Sequence, residues 1–297
     1  ATNREDFSTG LMTEGLDKLW QFCRRHHPDF QARILMTAAR RMDIPVLPFV
    51  PGTKYWQYGW GARSRVFMES LSNADGHLAG LMSRSKPMSK SVFASLGVPT
   101  PQHVVISEAG QLEMAATTVG FPCVVKPLDM GGGKGVTAGI HTVAQLHGAY
   151  EHARRVTSGP LMVEQMVAGD DHRLMVVKGK LVAAIRRQSS SVVGDGKRTV
   201  RQLIDGLNSG RSGNLVRSSY LLPIALDDVL GVHLAKQGVG LDSVLSAGAK
   251  IMLRSNSNLS TGGVVLDVTH QVHPQVRALA EQLAVTVGLE TAGLDYL

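Results

Sequence analysis

The sequence predicts an α+β fold with mixed sheets, and three observations carry that prediction. Short β-branched segments alternate with helical stripes through the middle of the chain. A glycine run lies between two of those segments instead of opening a helix. The 297 residues, 43% of them hydrophobic, are enough for a sizeable core and for about two domains at roughly 150 residues each.

Residues 10–43 read as helical, with a break at His26-His27-Pro28. Leu16, Leu19, Trp20 and Cys23 form one apolar stripe, and Phe30, Ile34, Leu35, Ala38 and Met42 form another. Ile44 to Val50 is apolar and punctuated by prolines, hence extended, and the aromatic run Tyr55 to Gly61 follows. Lys86 to Leu96 reads as a helix stopped by Gly97. Val104–Ile106 is a short strand, and Ser107 is placed to cap a helix running to about Val119. Phe121–Lys126 is a strand, and Thr137–Ile140 reads as its returning partner across the glycines. Thr142–Arg155 is helical, with Val143, Leu146 and Tyr150 on one face. Leu161–Met166 is a strand, and His172–Val177 and Leu181–Arg187 form a hairpin turning at Lys178-Gly179. Thr199–Asn208 is helical, Lys250–Arg254 a strand, and Pro274–Val287 a helix.

Composition narrows the function classes. The net charge of +7 leaves phosphate, nucleic acid or acidic substrates open as partners, while 5% aromatic residues argue against a base-stacking surface. No uncharged apolar run approaches the ~18 residues of a membrane span, and the polar start Ala1–Asp6 does not read as a secretory signal. Cys23 and Cys123 make neither a disulfide framework nor a cysteine zinc site, so a reducing cytoplasm is the default expectation.

The glycine run is Met130-Gly131-Gly132-Gly133-Lys134-Gly135-Val136. Glycines let backbone N–H groups approach phosphate oxygens, and Lys134 supplies charge. The spacing is neither a Walker A loop nor a dinucleotide fingerprint, because no helix opens on it. Read alone, it is either a phosphate cradle or a flexible hairpin turn.

Other segments fall in a telling order. Lys86-Pro87-Met88-Ser89-Lys90 precedes Gly97-Val98-Pro99-Thr100-Pro101, then Val124-Val125-Lys126-Pro127 and the glycine run. Val163-Glu164-Gln165-Met166-Val167 precedes Gly169-Asp170-Asp171-His172-Arg173, and Ile185-Arg186-Arg187 follows. Val193 to Asp205, Arg254 to Gly263 and Ala292-Gly293-Leu294-Asp295 complete the series. Over about residues 57–297 it resembles the ATP-grasp superfamily of carboxylate–amine ligases, and within that superfamily the ATP-grasp half of cyanophycin synthetases. The resemblance implies an N-terminal region over 1–85, a central subdomain over 86–163 and a C-terminal subdomain over 164–297, clasping ATP between the last two.

The same resemblance implies roles. Lys86 and Lys126 match the lysines on the ATP phosphates, with Gly132, Gly133 and Lys134 in the loop over them. Glu164, Gln165 and Val167 match the hinge that hydrogen-bonds adenine, mainly through backbone groups. Asp171, or Asp170 beside it, matches the acid on the ribose hydroxyls. Arg187 and Arg254 match basic positions near the transferring phosphate and the substrate carboxylate, a task suited to a planar guanidinium fork. Asn258 matches a residue near the acyl phosphate, and the Gly194-Asp195-Gly196 segment is expected to act as a lid.

Asp295 matches a magnesium ligand. The pattern's further metal pair, a Glu and an Asn two residues apart, would fall past Leu297. Either the sequence is a piece of a longer chain or that half of the site is missing. The expected function is therefore an ATP- and Mg²⁺-dependent ligase forming an amide through an acyl phosphate. The alternative is a nucleotide-binding module without catalysis. Expected partners are small-molecule amino-acid or peptide substrates, with no membrane; nucleic acid is disfavoured and rests on the +7 charge alone, and homo-oligomerisation stays open.

Overall fold

The computed structural model describes residues 13–21, 27–211, 221–254, 256, 257 and 259–297, and these separate into two compact units. The first holds the chain up to Leu81 together with Val177–Lys180 and Glu281–Ala292. The second holds Met82–Val176, Leu181–Ala280 and Gly293–Leu297.

In the first unit, residues 13–21 form α1 and Phe30–Arg41 form α2. Asp29 caps α2 by accepting from Ala32 N at 2.8 Å. The buried face of α2 is Ala32, Met36 and Ala39, whereas Phe30, Ile34 and Met42 face outward. This corrects the expected stripe. Two alanines one turn on either side of Met36 allow close approach, and that smaller-residue face took the packing. Strands β1 (Val46–Pro48), β2 (Tyr55–Tyr58), β3 (Arg65–Met68) and β4 (Leu71–Ser72) make an antiparallel sheet in sequence order. Tyr58 meets Phe67 edge to face across it, and burial followed by the nearby Asp29 charge pushes the Tyr58 phenol up to about 12. Helix α3 (His77–Arg84) follows.

The second unit opens with α4 (Lys86–Ser95), capped by Ser85 and started by Pro87 in its first turn. Next come β5 (His103–Ile106), α5 (Leu112–Val119), β6 (Cys123–Pro127), β7 (Thr137–Ile140), α6 (Val143–Arg154) and β8 (Leu161–Gln165). The cap before α5 is a Glu108/Gln111 box around a short 3₁₀ turn, not Ser107, because Gln111 reaches back to the Glu108 backbone. The four strands form one sheet, ordered β5-β8-β6-β7 and antiparallel throughout, where mixed pairing was expected.

Burial alternates along β6, with Cys123, Val125 and Pro127 inward. That face packs on α5 and α6 through Leu112, Leu146 and Tyr150. The Cys123 thiol lies in this core, and burial pushes its pKa up, so it is a packing residue and no nucleophile. The opposite face carries Val124 and Lys126.

The chain continues through β9 (Asp171–Val177), β10 (Lys180–Gln188), β11 (Ser191–Val193), α7 (Val200–Asn208), α8 (Asp228–Ala235), β12 (Lys250–Met252), β13 (Val264–Asp267), α9 (Pro274–Val287) and β14 (Thr291–Tyr296). Lys178 and Gly179 both take positive φ in the β9–β10 turn, as a tight hairpin demands. The sheet order is β13-β10-β9-β14, and a second core of α7, α8, β11 and β12 gathers Ile204, Leu230, Leu234 and Leu253.

The expected lid at Gly194–Gly196 is instead fastened down. Gly194 N donates to Ala249 O at 2.8 Å, Gly248 N to Gly194 O at 2.9 Å, and Gly196 N to Leu245 O at 3.1 Å. A Cβ at Gly194 would lie 2.3 Å from Ser246 O, so this glycine serves close backbone packing and not mobility.

Candidate functional site

A cavity of about 940 Å³ lies within the second unit, lined among others by Lys126, Gly133, Glu164, Asp171 and Arg187. Its size suits a small-molecule site. The β6–β8 register pairs Val124 with Glu164 and Lys126 with Met162. Lys126 and Glu164 are therefore diagonal neighbours on one sheet face, within reach of each other.

They form a salt bridge through Glu164 Oε2, while Glu164 Oε1 lies 2.7 Å from Lys90 Nζ. Lys90 is 9% exposed and also donates to Thr100 Oγ1 and Pro101 O, both at 2.8 Å. Burial of Glu164 favours its neutral form, but the two lysines outweigh that and hold the carboxyl below its ordinary range. Sequence reasoning missed Lys90. A lysine one helical turn after Lys86 was the available signal, yet only folding shows it turned inward.

The glycine hairpin joins β6 to β7. Gly132, Gly133 and Gly135 all take positive φ. A Cβ at Gly135 would meet Val156 Cγ2 at 2.6 Å and Pro127 Cγ at 2.9 Å, so the loop folds tightly on the end of β6. Lys86 Nζ donates to Pro127 O at 3.1 Å and Met130 O at 3.2 Å, which places its charge at the loop base. Burial, and then the Lys126 charge, lower the Lys86 pKa against the opposing charges of Asp129 and Glu164.

On the expected hinge, Gln165 N donates to Gln102 O at 2.8 Å and Met166 N to Pro122 O at 2.9 Å. Gln165 and Val167 are exposed and lie outside the cavity lining.

Asp171 accepts from Arg187 Nη2 at 2.7 Å on one oxygen and from Ser257 Oγ at 2.6 Å on the other. Asp170 pairs with Arg186 at 3.1 Å. Arg187 also reaches Asp295 at 2.9 Å. Burial opposes its charge, but Asp171 and Asp295 prevail and raise its pKa.

Arg254, 5% exposed, makes a fork to Asp227 at 2.7 and 3.0 Å, with Ala225 O at 2.9 Å. It is not among the cavity-lining residues. Asp227 in turn caps α8 through Leu230 N. Asn258 lies outside the described residues.

Among the described residues no group of three acidic, His or Cys side chains could hold a metal ion. Asp295 Oδ1 already accepts from Arg173 at 3.0 Å and from Arg187 at 2.9 Å. The side chains present thus fit magnesium only as a partner to nucleotide phosphates, not as a prebuilt site.

Lys126, Gly133, Glu164, Asp171 and Arg187 thus meet on one cavity, Lys86 stands at the base of its glycine loop, and Asp295 joins it through Arg187. A strand lysine and a glycine hairpin face one cavity on what is an ATP-grasp fold. The family model for the ATP-grasp domain matches residues 91–179. The chain is similar to the cyanophycin synthetase of Crocosphaera subtropica, at 35% identity over 89% of this chain and 30% of the relative. It is also similar to the glutathione biosynthesis bifunctional protein of Streptococcus mutans, at 30% identity over 77% of this chain and 30% of that protein. Among solved structures, a bifunctional glutathione synthetase from Pasteurella multocida shares the fold, with a TM-score of 0.62 at 24% identity over 91% of this chain and 37% of that one. The chain spans about a third of the length of the curated relatives it matches.

Proposed function

We propose that this chain is the nucleotide-binding part of an ATP-dependent ligase that joins a carboxylate to an amine on amino-acid or peptide substrates, in the cytoplasm. Residues 86–163 and 164–297 act as its two ATP-grasp subdomains and 1–85 as a region ahead of them. One observation carries the reading: Lys126 and Glu164 share a sheet face that opens, beside the glycine hairpin, on a cavity of about 940 Å³.

In the reaction, a carboxylate oxygen of the acid substrate attacks the γ-phosphorus of ATP, and ADP leaves. The amine nitrogen then attacks the acyl carbon, phosphate departs, and the nitrogen loses its proton. Lys126 and Lys86 supply fixed positive charge beside the transferring phosphoryl group, and the glycine backbone covers it. Glu164 holds Lys126 in place. Asp171 exchanges its present partners for ribose hydroxyls. Asp295 would hold a magnesium ion brought in with the nucleotide, and that ion would offset phosphate charge.

Calorimetry with a non-hydrolysable ATP analogue tests the site. Lys126→Ala should cost about 1.5–3 kcal/mol, the range for a hydrogen bond to a charged group, or roughly 10- to 150-fold in affinity. Unchanged affinity removes Lys126 from the phosphate site. A second reading, nucleotide binding without catalysis, is favoured by the engagement of Asp295 with two arginines. Nucleotide binding with no ADP released in the presence of amino acids would select it.

A further inference from the structure

Arg211 follows α7, is 8% exposed, and lines the same cavity as Lys126. Its Nη1 donates to Leu222 O at 3.3 Å and to Gly262 O at 2.5 Å. Ser190 Oγ donates to the same Gly262 carbonyl. These partners are neutral. Arg187, the other arginine lining the cavity, has the carboxylates of Asp171 and Asp295, and elsewhere Arg186 has Asp170, Arg173 has Asp295 and Arg254 has Asp227. Arg211 has none among the described residues, and residues 212–220 contain no Asp or Glu.

A guanidinium stays charged under any working condition, so a buried one without a counter-ion is costly unless an anion arrives. Nη1 is spent on carbonyls. Both of these bonds run from Nη1, and the Nε–Nη2 edge is the one that grips a carboxylate with two parallel hydrogen bonds. Gly262 makes the cradle. At φ +91° its carbonyl gathers Arg211 and Ser190, and a Cβ there would stand 2.7 Å from Ile224 Cγ1 and 3.3 Å from Arg211 Nη1.

We propose that Arg211 is the seat of a substrate carboxylate in this cavity, separate from the phosphate position at Lys126. The proposal rests on the ligase reading for the identity of the anion. The division of labour follows the side chains, because a lysine is a point charge suited to phosphate oxygens and a planar fork is matched to a carboxylate.

The test is an NMR titration of the full chain, following the Arg211 Nε–Hε resonance, assigned by its loss in Arg211→Lys. Acetate is the probe, with chloride at equal ionic strength as control, in the absence and presence of saturating non-hydrolysable ATP analogue. The expected result is a saturable shift with acetate that chloride does not reproduce and that survives the analogue. Gly262→Ala, checked for folding by its amide spectrum, should weaken acetate at least 5-fold. No acetate shift overturns the site. A shift saturated by the analogue alone, leaving no response to acetate, assigns Arg211 to nucleotide phosphate and overturns the carboxylate assignment. Failure of the analogue to bind by calorimetry, with the acetate shift intact, overturns the nucleotide reading and leaves the anion site standing.

Discussion

Lys90 and Lys126 hold the two oxygens of one carboxylate: Glu164 Oε1 lies 2.7 Å from Lys90 Nζ, and Oε2 accepts from Lys126. Lys126, the lysine proposed to meet phosphate, thus shares its carboxylate with a second, buried lysine. In the proposed site Lys90 acts on the phosphate position only through Glu164, which makes it a positioning residue. Lys90→Met leaves Glu164 with Lys126 alone and Thr100 and Pro101 without their donor. Urea unfolding should show a loss of about 1–3 kcal/mol. Calorimetry should show weaker nucleotide binding, because Glu164 then draws Lys126 from the phosphates. Undiminished nucleotide affinity in a folded variant would remove Lys90 from the site.

The same pair sets a pH dependence. The Glu164 pKa is lower folded than unfolded, so between the two values the unfolded chain holds more protons and stability rises with pH. Its contribution is complete above the ordinary carboxylate range and is lost as pH falls through the depressed folded value. Glu164→Gln should therefore flatten the acid limb of stability against pH, measured as urea midpoints from neutral pH downward. An acid limb of identical slope in the variant would show that other carboxylates dominate it.

The glycine hairpin separates packing from function. At Gly135 a Cβ meets Val156 and Pro127 well inside contact distance, at φ +68°. Gly135→Ala should destabilise by about 2–5 kcal/mol, overpacking added to left-handed strain. At Gly132 nothing lies within 4 Å of a Cβ, and only the φ of +66° opposes it. Gly132→Ala should cost about 1–2 kcal/mol, the left-handed backbone penalty alone. Thermal unfolding of the two variants side by side checks the order, and equal losses would contradict it.

Magnesium should bind only with nucleotide. Asp295 Oδ1 accepts from two guanidiniums, and no three-residue acidic cluster exists among the described residues. Calorimetric titration of the nucleotide-free chain with Mg²⁺ should show no specific site, and the same titration with the ATP analogue present should show one. Tight Mg²⁺ binding without nucleotide would reveal a protein site outside this account.

Much of this protein was legible because local rules act over a few residues. Pro274–Val287 is helical as read, the Lys178-Gly179 turn closes its hairpin, and Thr137–Ile140 returns along Cys123–Pro127. The ordered motifs led to the ATP-grasp fold, because each glycine, proline and lysine in them marks a backbone or charge requirement that shows in the chain itself. What the sequence left open depends on which surfaces meet. Alanine spacing, not the larger apolar residues, chose the packed face of α2. Backbone bonds to residues 245–249 turned the expected lid into a clamp. The inward turn of Lys90, the commitment of Arg254 to Asp227, and Arg211 set among backbone carbonyls all join groups apart in sequence. Charge pairing and burial are properties of distance in space, so the residue types were present in the sequence while their partners were decided only by the tertiary fold.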